Sequence, residues 1–195
     1  MTDTSYKTDK TTMVVPPRGG YESLVVYWLA VTIYDLNKLF IDHYIDRRSR
    51  THDQMHQAAR SGKQNIVEGS LEPSIESNLK LTGVARASFA ELLEDYRDYL
   101  REHNLPIWDK DDPRIVQIRR ERDVAYKSYK TYTSYMSYTN NPERFANMMI
   151  TLCFKQGYLL DHLLRAIEKK FITEGGFREK LFRKRIEYRT SHNHP

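Results

Sequence analysis

The stretch from residue 50 to residue 69 constrains the fold more than any other part of the chain. Met55, Ala59, Gly62 and Ile66 recur at steps of four, three and four, which traces one stripe along an α-helix. Ala58, Ser61 and Asn65 lie beside that stripe. Small side chains on a helical stripe let a neighbouring helix come close, so this segment is expected to be the central helix of a bundle. Thr51 and Gln54 read as a capping box at its start, with Asp53 placing negative charge at the positive helix end. Gly69 reads as its left-handed stop.

The remaining segments follow the same period. Helix one is expected from Tyr21 to Asp46, its inner face made by Val25, Leu29, Leu36, Phe40 and Tyr44, with Leu24, Trp28 and Leu39 in support. Arg47, Arg48 and Arg50 make a basic turn into helix two. Pro73 breaks the chain and Ser74 caps helix three, which runs to His103 with Leu81, Val84, Ala85, Ser88, Leu92 and Tyr96 inward. Asn104 to Asp112 is a loop. Asp112-Pro113 starts a polar helix expected to reach Thr139, and Asn141-Pro142-Glu143 starts a long one reaching Thr173, with proline at the first helical position each time. Phe145, Met149, Leu152, Gln156, Leu159, Leu160, Leu163 and Ile167 form the inner face of the long helix. Gly175-Gly176 ends it, and Phe177 to Arg189 reads as a short basic terminal helix. Nothing alternates with period two, so no sheet is expected. The fold class is all-α: an up-and-down four-helix bundle with an extra helical segment at about 113–139 and a short basic C-terminal helix. Residues 1–20 read as an N-terminal arm, 21–174 as the bundle, and 175–195 as the terminal helix and tail.

A chain of 195 residues can bury one core, and 39% hydrophobic with 29% charged residues is ordinary globular composition. No apolar run reaches the length of a membrane span. Met1 to Thr12 carries no apolar signal segment, and the one cysteine, Cys153, suits a reducing compartment; a cytoplasmic protein is the expectation. Cys153 falls on an apolar helical face and reads as packing. The net charge of +5 is unevenly placed. Residues 21–46 balance at −3, whereas 114–130 and 177–189 each hold six basic side chains against two acidic ones.

Four groups of residues are candidate sites. His52 and His56 stand one helical turn apart around Asp53, which imitates a zinc-binding helix with His43 as a third ligand. Aspartate is a carbon shorter than the glutamate such hydrolases use as base, and an acid belongs at that position of a capped helix anyway. No metal or cofactor is assigned. Gln57, Gln64, Asn65, Glu68 and Gln156 are polar residues on or beside apolar stripes. Glu68 has no accompanying nucleophile or paired acid, so a hydrogen-bonded network fixing helix register outweighs a general base, and no catalytic residue is assigned. Tyr126, Tyr129, Tyr132, Tyr135 and Tyr138 recur every three residues with Lys127 and Lys130 between them. On an α-helix steps of three drift by about 60° per repeat, so the rings would wind around it, some exposed or buried by another subunit; core or interface packing outweighs stacking on unpaired bases. Arg119, Arg120, Arg122, Lys127 and Lys130, with Arg178, Lys180, Arg183, Lys184, Arg185 and Arg189, are the candidates for neutralising nucleic-acid phosphates.

The run from Gln57 to Ser70, with Ala59, Ser61, Gly62, Asn65, Glu68 and Gly69, resembles the signature of the bacterial four helix bundle proteins, which include proteins encoded in ribosomal-RNA intervening sequences. Val84 to Leu93 is similar to that family's third-helix pattern. Arg50 to Met55 and Gly175 to Glu179 are similar to the "four helix bundle suffix domain" subgroup. The resemblance spans roughly residues 19–190. It implies an up-and-down bundle, often assembled as a ring of five. It also implies kinship with a basic pentamer of diversity-generating retroelements that binds RNA and a reverse transcriptase. Residues 104–140 and the basic terminal helix depart from the simple family form. The resulting expectation is a non-enzymatic, self-associating scaffold for nucleic acid, RNA foremost. The alternative is a protein adaptor, for example for a reverse transcriptase or another mobile-element component, contacting its partner through Tyr129 and Tyr132.

Overall fold

A computed structural model of the chain describes residues 20–120 and 131–192. It is built from α1 (Val25–Tyr44), α2 (Arg50–Leu71), α3 (Ile75–Glu102), α4 (Pro113–Arg120), α5 (Pro142–Glu174) and α6 (Phe177–His192). A 3-10 turn at Tyr21–Ser23 precedes α1, and a 3-10 segment at Thr131–Tyr138 precedes α5. No strand occurs among the described residues. The all-helical expectation holds. The expected N-terminal arm lies outside the described residues, save Gly20.

α1, α2, α3 and α5 close a four-membered ring of neighbours, α2 against α1 and α3, α5 against α3 and α1. Each neighbouring pair is antiparallel. Asn37 and Tyr34 of α1 meet Met55 and Lys63 of α2, and Ser61 of α2 meets Ser88 of α3. Arg86 and Arg97 of α3 meet Asp161 and Phe154 of α5, and Phe40 and Val26 of α1 meet Phe145 and Gln156 of α5. The topology is therefore up-down-up-down.

The close approach anticipated on α2 is present. Ala59 and Gly62 are buried, and a Cβ on Gly62 would stand 2.6 Å from Cε2 of Phe89. The phenyl ring of α3 occupies the space a side chain would take. Beside it Ser88 of α3 donates to the Ser61 hydroxyl across the seam at 3.1 Å, while Asn65 donates to the Ser61 carbonyl of its own helix at 2.9 Å. Deeper in, Tyr96 donates to Asn37 Oδ1 at 2.8 Å while Asn37 donates to the Met55 carbonyl at 3.1 Å, tying three helices together.

Several sequence expectations are corrected. Helix two is capped by Ser49, whose hydroxyl accepts from the His52 amide at 3.2 Å, so Thr51 lies inside the first turn and the Thr51–Gln54 box does not form. Gly69 does not stop the helix. It is helical and buried, and a Cβ there would stand 3.1 Å from Asn78 Oδ1 and 3.3 Å from Leu81 Cβ. Its bareness serves the α2–α3 contact, and the helix ends at Leu71 because Glu72 precedes Pro73 and is held extended. Helix one begins at Val25, not Tyr21, after Gly20 with φ 145° and the 3-10 turn. Val25 and Val84, expected inward, are exposed. Of the polar set, Gln57 and Glu68 face solvent and take no place in the interior network.

The helix expected from 113 to 139 does not reach Thr139 as an α-helix. Among the described residues α4 runs from Pro113 to Arg120, with Asp112 Oδ1 accepting from the Arg114 amide at 2.8 Å and with Ile115 and Ile118 buried. Thr131–Tyr138 winds as a 3-10 helix. Such a helix has 3.0 residues per turn, so side chains three apart eclipse. Tyr135 and Tyr138 are consequently buried on one face and Tyr132 packs partly against the same core, where an α-helix would have spread them around its surface. Tyr126, Tyr129, Lys127, Lys130 and Arg122 lie outside the described residues.

Candidate nucleic-acid interface

α6 is the element with the most cations and the least burial. Gly175, at φ 75°, turns the chain out of α5, and only glycine holds that conformation without strain. Gly176 follows, buried against Glu76 and the Phe171 ring. The Glu179 carboxylate accepts from the Gly176 amide at 3.1 Å, one arm of a capping box that starts α6. Glu76 stands beside the Phe177 amide. Its carboxyl is held below its ordinary range by the Ser74 hydroxyl first, then by the backbone amides of Glu76 and Phe177.

Beyond that anchor no residue of α6 is buried. Arg178, Arg183, Arg185 and Arg189 are exposed, Lys184 is half-buried, and Lys180 pairs with Glu174 at 2.9 Å. Leu181, Phe182, Ile186 and Tyr188 are also exposed, Phe182 at 67%. Six of the candidate cations therefore share one helix that projects from the bundle.

Arg119 and Arg120 do not join them. α4 packs on the start of α5, where Arg114 approaches Glu143 at 3.9 Å and Asn147 accepts from the Trp108 amide at 2.8 Å. About 45 Å of helix separates Asn147 from Phe177, at 1.5 Å per residue. Arg119 donates to the Lys110 carbonyl at 3.0 Å, and Arg114 is bidentate on Asp112 and lies 3.6 Å over the Trp108 ring. The two basic groups thus sit at opposite ends of the bundle.

The histidines of α2 diverge. His52 lies 3.9 Å from Asp42 and 3.8 Å from Asp53, His56 tilts against the Tyr34 ring, and His43 donates to the Leu39 carbonyl of its own helix. Among the described residues no three His, Cys, Asp or Glu side chains converge on a point a metal could occupy. Cys153 is buried against α3, and burial pushes its thiol far above the ordinary range.

One feature escaped the sequence reading. Glu91, Asp95, Asp98 and Glu102 follow one another on α3 at steps of four, three and four, forming a single acidic stripe. It borders two adjoining hollows between α2 and α3. One of 440 Å³ is lined by Gln54, Gln57, Ala58, Ser61, Ser88, Glu91 and Asp95. The next, of 350 Å³, shares Gln54 and Asp95 and runs on past Asp98 and Glu102 to Asp46. Burial, followed by the charges of Asp98 and Glu91, raises the Asp95 carboxyl to a pKa of about 6. The stripe's spacing was visible in the sequence as plainly as the apolar ones.

The fold and its surfaces define an all-helical bundle bearing an appended cationic helix. No family model, no curated protein and no solved structure matches the chain. No described helix is long and apolar enough to cross a membrane.

Proposed function

We propose that the chain is a non-enzymatic, self-associating helical scaffold that binds nucleic acid, RNA foremost, through the outward cations of α6. The observation that carries this reading is a helix with six basic side chains and no buried residue. A helix that adds nothing to the core needs another reason for its composition, and phosphate neutralisation supplies one. Membership of the bacterial four helix bundle family is part of the same proposal and rests on the residues of α2 and α3 set out above. The adaptor reading loses part of its expected surface, because Tyr132 packs inward with Tyr135 and Tyr138. What favours it now is the α3–α5 face, where Phe154 and Tyr158 are exposed beside Leu93 and Cys153.

Filter binding with a single-stranded RNA tests the proposal. We expect nanomolar-to-micromolar retention that falls steeply between about 50 and about 200 mM salt. Lys180→Glu with Arg183→Glu should weaken retention of all sequences alike and flatten the salt slope. No retention at the lower salt would end the nucleic-acid reading.

A further inference from the structure

We propose that α6 of one copy of this chain lies along the acidic α2–α3 groove of a second copy. The inference rests on the self-association in the reading above, and names the surfaces that perform it.

The two surfaces match in charge and in pitch. Glu91, Asp95, Asp98 and Glu102 stand at steps of four, three and four on α3. Arg178, Phe182, Arg185 and Arg189 stand at the same steps on α6. Each set makes one stripe about 16 Å long, by the rise of an α-helix. Three arginines can therefore meet three carboxylates, while Phe182, 67% exposed, lies level with the hollow beside Asp95. Gln54, Gln57 and Ser61 on the opposite wall offer further hydrogen-bonding groups. Arginines arriving at Glu91 and Asp98 would offset the like charge that crowds the half-buried Asp95 between them.

The helix's own copy cannot fill the groove. Gly176 is seated beside Glu76 at the start of α3. From Glu76 to Glu102 the helix rises about 39 Å, whereas from Gly176 to Arg189 it rises about 20 Å. Folded back along its own α3, α6 would stop short of Asp95, Asp98 and Glu102. A second copy carries no such restriction. The contact joins two different surfaces, so repeating it gives a closed ring or an open chain of subunits. Arg183 lies on another side of α6 from the arginine stripe, leaving an exposed cation for phosphate.

The experiment is a charge exchange followed by light scattering, on full-length protein freed of nucleic acid and at low salt. The wild-type chain should be larger than a monomer, and smaller at high salt. Arg178→Glu, Arg185→Glu and Arg189→Glu together should give a monomer with unchanged helical content, since all three side chains are exposed. Glu91→Lys, Asp98→Lys and Glu102→Lys together should do the same, or Asp98→Lys alone should weaken assembly if the triple variant does not fold. An equimolar mixture of the two triple variants should assemble again, because each then presents a surface the other can accept. A monomeric wild type, full assembly of the α6 variant, or a mixture of folded variants that stays monomeric would overturn the proposal. Assembly without RNA retention would remove the nucleic-acid reading and leave this one standing.

Discussion

The α2–α3 seam and α6 are opposite uses of a helix surface. At the seam, Gly62 has no side chain, and Phe89 presses against its bare backbone beside the buried Ala59. On α6, Leu181, Phe182, Ile186 and Tyr188 keep large apolar side chains in solvent. The seam's residues are explained by what they touch within the chain. Those of α6 are not, and that difference marks α6 as the surface whose purpose lies outside its own fold. A substitution series should therefore act on stability at one and not at the other.

The largest effect is expected at Gly62. Gly62→Val places a branched side chain where Phe89, itself 1% exposed, has no room to retreat. We expect a loss of about 3 kcal/mol in chemical denaturation, the upper range for overpacking a core. Gly83 on α3 is the control, since a Cβ there meets nothing within 4 Å. Gly83→Ala should gain up to about 1 kcal/mol from helix propensity alone. Equal effects at both glycines would break the claim that the seam is special.

What was legible in the sequence, and what was not, follows the range of the interactions. Ser74 and Asn141 cap their helices as expected, each accepting from the amide three residues on, because capping is local chemistry. On helix two the capping-box spacing pointed to Thr51, but Ser49 two residues earlier caps it, because the spacing rule does not fix where the backbone first turns helical. Gly69 suits a stop or a close approach equally until α3 is in place. The tyrosine repeat was seen, but its face depends on whether the backbone winds at 3.0 or 3.6 residues per turn. The Asn37–Tyr96 bond joins residues 59 positions apart, which no local pattern reveals. For the candidate site, the cations were legible, but not their division between two ends of the bundle, which the length of α5 imposes.

A smaller effect is expected at the rim of the seam. The Asp95 carboxyl has a folded-state pKa of about 6, raised by burial and then by Asp98 and Glu91. Its pKa is higher folded than unfolded, so the folded chain holds the proton more tightly. That favours the folded state at low pH and is lost as pH rises through about 6. Asp95→Asn should therefore stabilise the chain at pH 7.5, by on the order of 1 kcal/mol once solvent screening of a half-exposed group is allowed for. The gain should vanish near the ordinary carboxyl range. Thermal melts of both proteins across pH decide it: a gain that persists undiminished at low pH would assign the effect to packing instead of charge.

The smallest expected effect is the most diagnostic for α6. Phe182→Ser removes a phenyl ring from a helix, which in a core would cost several kcal/mol. Here the ring is 67% exposed and no residue of α6 is buried, so the free energy lost by the single chain should stay within about 0.5 kcal/mol, as for other surface changes. Measured on dilute protein at high salt, the thermal midpoint should be unchanged. A substantial fall there would mean that α6 folds against its own bundle. The contrast with Gly62 would then disappear, because both surfaces would be serving the same core.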